Sequence, residues 1–300
     1  MRLVELGLVS GIGLGAVYML IATSYTLILA SSGVFNFGQA SIVSAGAIGS
    51  YYLWQKIGIP LVPSLLACML FGVALGTVSE RIAVSWFYSR RETLTKSTLV
   101  STLGLGLLLT AVAGVIFGSA PIPVRAFIST PSWDWLGITV QPQYVIMLIV
   151  GLGLCILLDQ VLVHTEVGLV IRATIQDREG AALLGIRPRT VTIGAFAIGG
   201  AMAALAGALL APVATAYPTV GDDFAVYGFA AMAIGGYGSF RGAAFGGLLI
   251  GIVAGLEPIY LNPQLAGPVV YVILLAVLLV RPVGIFGTPG AFGASSIREA

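Results

Sequence analysis

The sequence predicts an all-α, polytopic membrane protein, a helical bundle with about eight to nine membrane segments. Of its 300 residues, 58% are apolar and only 9% are charged, and the mean hydropathy is +1.04. A soluble domain carries about 25% charged residues, so this chain lacks the polar residues needed to cover a water-facing surface. Glycine contributes 40 residues, which suits helices in lipid, where close backbone contact replaces the hydrophobic effect as the packing force.

Apolar runs near the length of a membrane span define the individual segments. In chain order they cover about 7–30, 40–54, 61–78, 99–117, 144–163, 191–213 and 269–280. Between 224 and 255 the run is interrupted at 237–242 (Tyr-Gly-Ser-Phe-Arg-Gly), so two shorter segments are expected there. We expect one transmembrane domain over 1–285, a charged loop at 165–189 within it, and a flexible tail at 286–300.

The positions of lysine and arginine predict the orientation. If the 165–189 loop is cytoplasmic and the segments alternate, 11 of the 14 basic residues fall on the cytoplasmic side. This arrangement places the N-terminus outside and the C-terminus inside, with an odd number of crossings, about nine. The eleven are Arg81, Arg90, Arg91, Lys96, Arg172, Arg178, Arg187, Arg189, Arg241, Arg281 and Arg298.

The charged loop predicts a short amphipathic helix from Arg172 onward that ends at Gly185, with Pro188 preventing its continuation. One side carries charge at 177–179, and the other is small and apolar at 181–184. Such a helix is too polar to cross a membrane, and its shape suits insertion into a groove on a partner protein.

These residues resemble known motifs. Glu179-Gly180-Ala181, followed after three residues by Gly185, resembles the EAA…G coupling motif of ABC-importer membrane subunits, with Gly180 where alanine is usual. The run 176–186 and the run 206–212 (Ala-Gly-Ala-Leu-Leu-Ala-Pro) resemble the branched-chain amino acid ABC transporter permease family.

Two further stretches strengthen the resemblance, since all three motifs occur in the family's order. Residues 33–39 (Gly-Val-Phe-Asn-Phe-Gly-Gln) resemble the family's Asn-Phe-Ala-His/Gln motif. Residues 234–243 resemble its Gly-Gly-x-Gly-Ser-x-x-Gly-Ala motif. The short N-terminus resembles the smaller of the family's two paired permeases, and urea and amide permeases are close relatives.

The resemblance implies a multi-pass subunit of a bacterial cytoplasmic (inner) membrane importer. Its partners would be a second homologous permease subunit, two cytoplasmic ATP-binding subunits and an external solute-binding protein. The chain has no G-x-x-x-x-G-K-[ST] phosphate loop, so it is expected to be non-catalytic and without a cofactor, with ATP and Mg on the partner ATPases. Residues 165–189, termed the coupling loop below, would contact an ATPase. The expected coupling residues are Arg172, Gln176, Asp177, Arg178, Glu179, Ala181 and Gly185.

Polar residues that follow the first span are candidates for the translocation path. Asn36, Gln39 and Ser41 either line that path or form hydrogen bonds that hold helix ends in a structural turn. Glu80 and Arg81 lie near a predicted cytoplasmic span end, where snorkelling or local pairing is expected. No acidic residue lies at the middle of a predicted span, so a proton relay is disfavoured.

Glycines near the interrupted segment form another candidate set. Those at 242, 246–247, 251 and 255 recur at a four-residue spacing, which places them on one helix face for close packing or for a moving interface. The set predicted for this role is Gly235, Gly236, Gly238, Gly242 and Gly246.

The alternative to an ABC-importer permease is a secondary transporter or channel that acts alone, which would have no need of an EAA-like loop. The sequence leaves the solute open among branched-chain amino acids, urea, amides and similar small polar molecules.

Overall fold

The computed structural model describes residues 2–86, 94–128, 132–135, 138–261, 263–281 and 283–287. Arg90, Arg91, Arg298 and the part of the expected flexible tail beyond 287 lie outside these ranges, as does the side chain of Lys96.

The described chain is almost entirely helical, which confirms the predicted fold class. A two-stranded antiparallel sheet is formed by β1 (Trp133–Trp135) and β2 (Ile138–Val140). Helices α2 and α3 each continue into a π-helical segment, Tyr51–Ile57 and Glu80–Ser85 respectively. The helices are α1 (Arg2–Ser32), α2 (Gln39–Ser50), α3 (Leu61–Ser79), α4 (Leu94–Phe117), α5 (Pro142–His164), α6 (Glu166–Gln176), α7 (Arg178–Leu183), α8 (Pro188–Ala214), α9 (Val220–Gly235), α10 (Phe240–Tyr260) and α11 (Pro263–Val280).

Six helices of the described chain are long and apolar enough to cross a membrane. The number of membrane segments, eight to nine, stays a prediction. The six candidate spans are Leu3–Ser32, Leu61–Ser85, Ser97–Phe117, Pro142–His164, Pro188–Ala214 and Phe240–Tyr260.

Contacts between Cα atoms group the chain into two compact units. Unit 1 comprises Met1–Thr26, Ala126–Ile156 and Val226–Ala300, and unit 2 comprises Leu27–Arg125 and Leu157–Ala225. The expectation of a single domain over 1–285 stays a prediction.

Helix α8 forms the centre of unit 2, and 78% of its span is buried. It packs against α3 through Gly72 and Gly200, where a side chain on either glycine would overlap the backbone of the other helix. It packs against α2 in the same way through Gly46 and Gly207. Because these four positions carry no side chain, both neighbouring helices approach α8 at backbone distance.

Unit 1 is built around a glycine-lined contact between α10 and the first part of α1. A Cβ added at Gly251 or Gly255 of α10 would overlap the backbone around Gly11 of α1. On the other side of α1, Gly13 lies against Tyr144 of α5. The predicted glycine face of α10 is therefore a packing surface in this unit.

The predicted interruption is present between α9 and α10. Helix α9 ends at Gly235 and α10 begins at Phe240. Between them, Gly236 and Gly238 have φ values of +113° and +79°, a region that glycine enters without steric cost. Ser239 then caps α10, since its hydroxyl accepts a hydrogen bond from the Gly242 N–H at 3.1 Å.

Candidate functional site

The coupling loop contains two helices, α6 and α7, where the sequence predicted one helix from Arg172 to Gly185. The break is at Asp177, whose backbone is extended (φ −150°, ψ 106°). Its carboxylate accepts hydrogen bonds from the N–H groups of Glu179 (3.0 Å) and Gly180 (2.9 Å). A short acidic side chain that bonds to the following N–H groups favours a new helix start over continuation of the old helix.

The end of α7 is where the sequence placed it. Gly185 has φ +87°, and its N–H donates to the Ala182 carbonyl at 3.0 Å. The Ile186 N–H reaches back to the Ala181 carbonyl at 3.1 Å. These two bonds form a Schellman motif, which closes the helix and requires a left-handed residue at the position of Gly185. Helix α7 is thus closed by specific hydrogen bonds at both ends.

One face of α7 is fixed against the rest of unit 2. Ala181 is only 3% exposed. The Arg178 guanidinium donates to the Ser31 carbonyl at the end of α1 (3.5 Å) and to the Thr192 hydroxyl on α8 (3.4 Å). Arg172 on α6 donates to the Val163 carbonyl at 3.2 Å. Three of the expected coupling residues therefore pack or bond to parts of unit 2 outside α7.

The opposite face of α7 is apolar and exposed. Leu183 and Leu184 are 90% and 83% exposed. The apolar side predicted at 181–184 is therefore divided, because Ala181 is buried whereas the two leucines are exposed. The expected coupling residues Gln176, Asp177, Glu179 and Gly185 are exposed as well. We call the exposed surface formed by Glu179, Leu183, Leu184 and Gly185 the α7 outer face.

Asn36 and Gln39 are both fully buried in unit 2. The Asn36 amide donates to the Gln39 side-chain oxygen at 3.2 Å and accepts from the Gly38 N–H at 3.1 Å. The Gln39 amide donates to the Gly199 carbonyl on α8 at 2.8 Å. This geometry matches the structural-turn interpretation, in which both amides hold the start of α2 against α8.

Ser41 lies at the edge of a largely apolar cavity of about 560 Å³ in unit 2. Its hydroxyl donates to the Gly106 carbonyl at 2.8 Å and lies 3.0 Å from the Thr110 hydroxyl. Residues of α2, α3 and α4 line this cavity. Ser41, one of the three path candidates, therefore contacts a cavity within unit 2.

The predicted glycine set lies around the α9–α10 turn of unit 1. A Cβ at Gly235 would overlap the backbone of Gly242, and one at Gly246 would overlap that of Ala231. Gly236 and Gly238 form the turn itself. All five positions therefore lie where a side chain is excluded or where φ is positive.

Two acidic residues lie buried inside candidate spans, which differs from the sequence-based expectation. Glu80 is 0% exposed, so its side chain does not snorkel, and neither carboxylate oxygen has a hydrogen-bond partner in the described part of the chain. Glu257 on α10 is 6% exposed, and its Oε1 also lacks a partner there. In the sequence, Glu80 next to Arg81 resembles an ordinary span end, because both residues follow an apolar run and the hydropathy pattern does not show where a side chain points.

The first turn of α9 also carries acidic residues. Asp222 and Asp223 are exposed. Burial and the nearby carboxylates of Asp223 and Asp222 raise the pKa of Tyr217 above its usual value, so this phenol stays protonated and neutral at physiological pH.

The described residues contain no group of three or more His, Cys, Asp or Glu side chains that could hold a metal ion.

Comparison with known proteins adds to this geometry. Residues 7–278 match the family model described as "Branched-chain amino acid transport system / permease component". The chain is 29% identical over 294 residues to the high-affinity branched-chain amino acid transport system permease protein LivH of Salmonella typhimurium, covering 93% of this chain and 94% of that protein.

Two further relatives extend the comparison. The probable branched-chain amino acid transport permease protein LivH of Methanocaldococcus jannaschii is 28% identical, covering 90% of this chain and 88% of that protein. The fructose import permease protein FruF of Bifidobacterium longum is 24% identical, covering 79% and 66%. With the multi-pass helical fold, these matches show that the chain belongs to the family of permease components of branched-chain amino acid transport systems and is a membrane-spanning permease subunit of an ABC importer.

Proposed function

We propose that this chain forms half of the translocation path of an importer for a branched-chain amino acid or a similar small polar solute. The match to the LivH permeases over most of the chain supports a branched-chain amino acid as the solute. The likeness of this chain to a fructose import permease makes a sugar the alternative solute that a substrate test must include. Uptake of radiolabelled leucine, competed with unlabelled valine, fructose or urea, distinguishes these solutes.

The proposal includes a set of partners. A second permease subunit completes the path, two cytoplasmic ATPases supply energy, and an external protein delivers the solute. This subunit is non-catalytic and binds no cofactor, so ATP and Mg are held by the ATPases. The N-terminus lies outside and the C-terminus inside, at the inner membrane, which places the coupling loop on the ATPase side.

The observation that carries the proposal is the α7 outer face. Two leucines exposed by more than four-fifths lie on a helix that is capped at both ends and anchored by Arg178 and Ala181. A rigid helix with exposed apolar side chains in a charged loop is typical of a surface that a partner covers. The groove of an ATPase subunit is the partner surface that fits this family.

Substitutions on the α7 outer face test the ATPase contact. We expect Leu183→Glu and Glu179→Lys to abolish uptake and ATPase co-purification while the subunit remains in the membrane. Burial of one leucine side chain contributes about 1.5–3 kcal/mol, enough to lower the affinity for an ATPase by at least tenfold. The measurements are leucine uptake in cells and the amount of ATPase that copurifies with tagged subunit.

Val167→Glu is the matched control, since Val167 is a 60% exposed apolar residue on α6 in the same loop. We expect this variant to retain uptake and the ATPase. Normal uptake by Leu183→Glu and Glu179→Lys together would contradict the proposed contact.

A further inference from the structure

Glu80 occupies an unusual position at the point where α3 changes from α-helix to π-helix. Its side chain is completely buried, and both carboxylate oxygens lack a hydrogen-bond partner in the part of the chain that the structure describes. A buried carboxyl group without a hydrogen bond is destabilising, so a residue of this kind needs a reason to be there. π-helical segments occur frequently at functional sites.

The packing of α3 on α8 shows what lies opposite Glu80. The two helices contact each other in steps of four residues, with Gly72 against Gly200 and Gly76 against the Phe196 backbone. Extending these steps by four residues along both helices, we infer that Thr192 is near Glu80. One turn further along α3, Val84 packs with Ile28 of α1 and Phe196 of α8. Glu80 therefore lies next to the ends of α1 and α8 that receive the coupling loop.

The coupling loop contacts this same place through Arg178. Its guanidinium donates to the Thr192 hydroxyl in the first turns of α8 and to the Ser31 carbonyl at the end of α1. At 3.4 and 3.5 Å both bonds are longer than the usual 2.7–3.2 Å. Among the described residues, Arg189, Arg81 and Arg178 act electrostatically on Glu80, Arg189 most strongly. Arg189 and Arg81 are exposed, whereas Arg178 is half-buried.

We propose that Glu80 is a positioning residue that receives Arg178 when an ATPase moves the coupling loop. In the state described here, Arg178 is held by Thr192 and Ser31, and the carboxylate of Glu80 is without a hydrogen bond. A shift of α7 toward α3 brings the guanidinium onto that carboxylate, where a bidentate, charge-assisted pair forms. The pair links loop and span directly, so that movement of α7 is passed to α3.

This inference rests on the proposed function, because it assigns the path by which the α7 outer face moves the spans. The test uses the whole transporter reconstituted in proteoliposomes with its ATPases and binding protein. The measured quantity is solute transported per ATP hydrolysed, which separates coupling from assembly. We expect Glu80→Gln to keep ATP hydrolysis and to lower the transport ratio by about tenfold, the size of a coupling between contacting residues.

A double-mutant cycle distinguishes the pair from a merely structural role of Glu80. We expect Arg178→Gln to lower the transport ratio as much as Glu80→Gln does, and the double variant to be no worse than either single variant. The exchange of the two charges, Glu80→Arg with Arg178→Glu, is expected to recover part of the ratio. Arg81→Gln, which changes the adjacent exposed cation, is the control and is expected to transport as wild type. Additive losses in the double variant would overturn the proposal.

A cross-link provides evidence that does not depend on transport. With Glu80→Cys and Arg178→Cys in one chain, we expect a disulfide to form faster in the ATP-bound, hydrolysis-arrested complex than in the nucleotide-free complex. Equal rates in the two states would overturn the proposal. If wild-type transporter showed no ATP-driven uptake, the proposed function would fail; wild-type uptake with normal coupling in Glu80→Gln would refute only the role of Glu80.

Discussion

Asn36 and Gln39 are buried amides, and each has a hydrogen-bond partner within unit 2. In lipid, a polar side chain without a partner is costly, so the pair has to bond either to the protein or to water in a path. Here the amides bond to each other, to the Gly38 N–H and to the Gly199 carbonyl. This network fixes the entry into α2 relative to α8.

Replacement of Asn36 tests whether it stabilises the turn or lines the path. Asn36→Ala removes the acceptor of the Gly38 N–H and the donor to Gln39. We expect the free energy of unfolding to fall by about 1–3 kcal/mol, with uptake per folded transporter unchanged. The measurements are thermal unfolding of the purified subunit in detergent and uptake corrected for folded protein.

Phe37→Leu is the control for Asn36→Ala, because Phe37 lies in the same turn and is 41% exposed. We expect it to leave both quantities close to wild type. A normal unfolding temperature for Asn36→Ala together with reduced uptake would assign Asn36 to the path.

At the scale of elements, hydropathy and glycine or proline signals located most helices to within a few residues. The α9–α10 interruption and the stop at Gly185 were predictable because each depends on residues with a restricted or permissive backbone. The split of the coupling loop at Asp177 was not predicted, since an aspartate is compatible with both a helix interior and an N-cap. The burial of Glu80 depends on how α3 packs on α8, which a single sequence does not specify.

Helix α8 allows the packing role of its glycines to be tested inside one element. A Cβ at Gly200 would overlap the backbone of Gly72, whereas a Cβ at Gly194 meets no atom within 4 Å. We expect Gly200→Ala to lower the free energy of unfolding by about 1–3 kcal/mol through overpacking. Gly194→Ala, the matched control, is expected to be neutral or to stabilise by up to about 1 kcal/mol, because alanine favours helix.

Thermal unfolding of the two purified variants in detergent measures this difference. Equal stability of Gly200→Ala and Gly194→Ala would show that α3 and α8 separate without cost, contrary to the close contact in the structure.

At the scale of the whole molecule, function depends on which ends of the helices face the cytoplasm. The uneven distribution of lysine and arginine predicts the side of each loop, and that prediction places α7, Arg178 and Glu80 at the cytoplasmic surface or next to it. If the orientation were reversed, no ATPase could reach the α7 outer face. Orientation is therefore the property on which the coupling proposals jointly depend.

Cysteine labelling measures this orientation directly. The native thiols give little background, because Cys68 and Cys155 are free but buried. Lys56 and Glu166 are exposed residues, near the end of the π-helical segment that follows α2 and at the start of α6. In spheroplasts, we expect a membrane-impermeant maleimide to label Lys56→Cys and to leave Glu166→Cys unlabelled until the membrane is permeabilised. Inverted vesicles should give the opposite pattern, since they expose the cytoplasmic side. Labelling of Glu166→Cys in intact spheroplasts would place the coupling loop outside and rule out its contact with an ATPase.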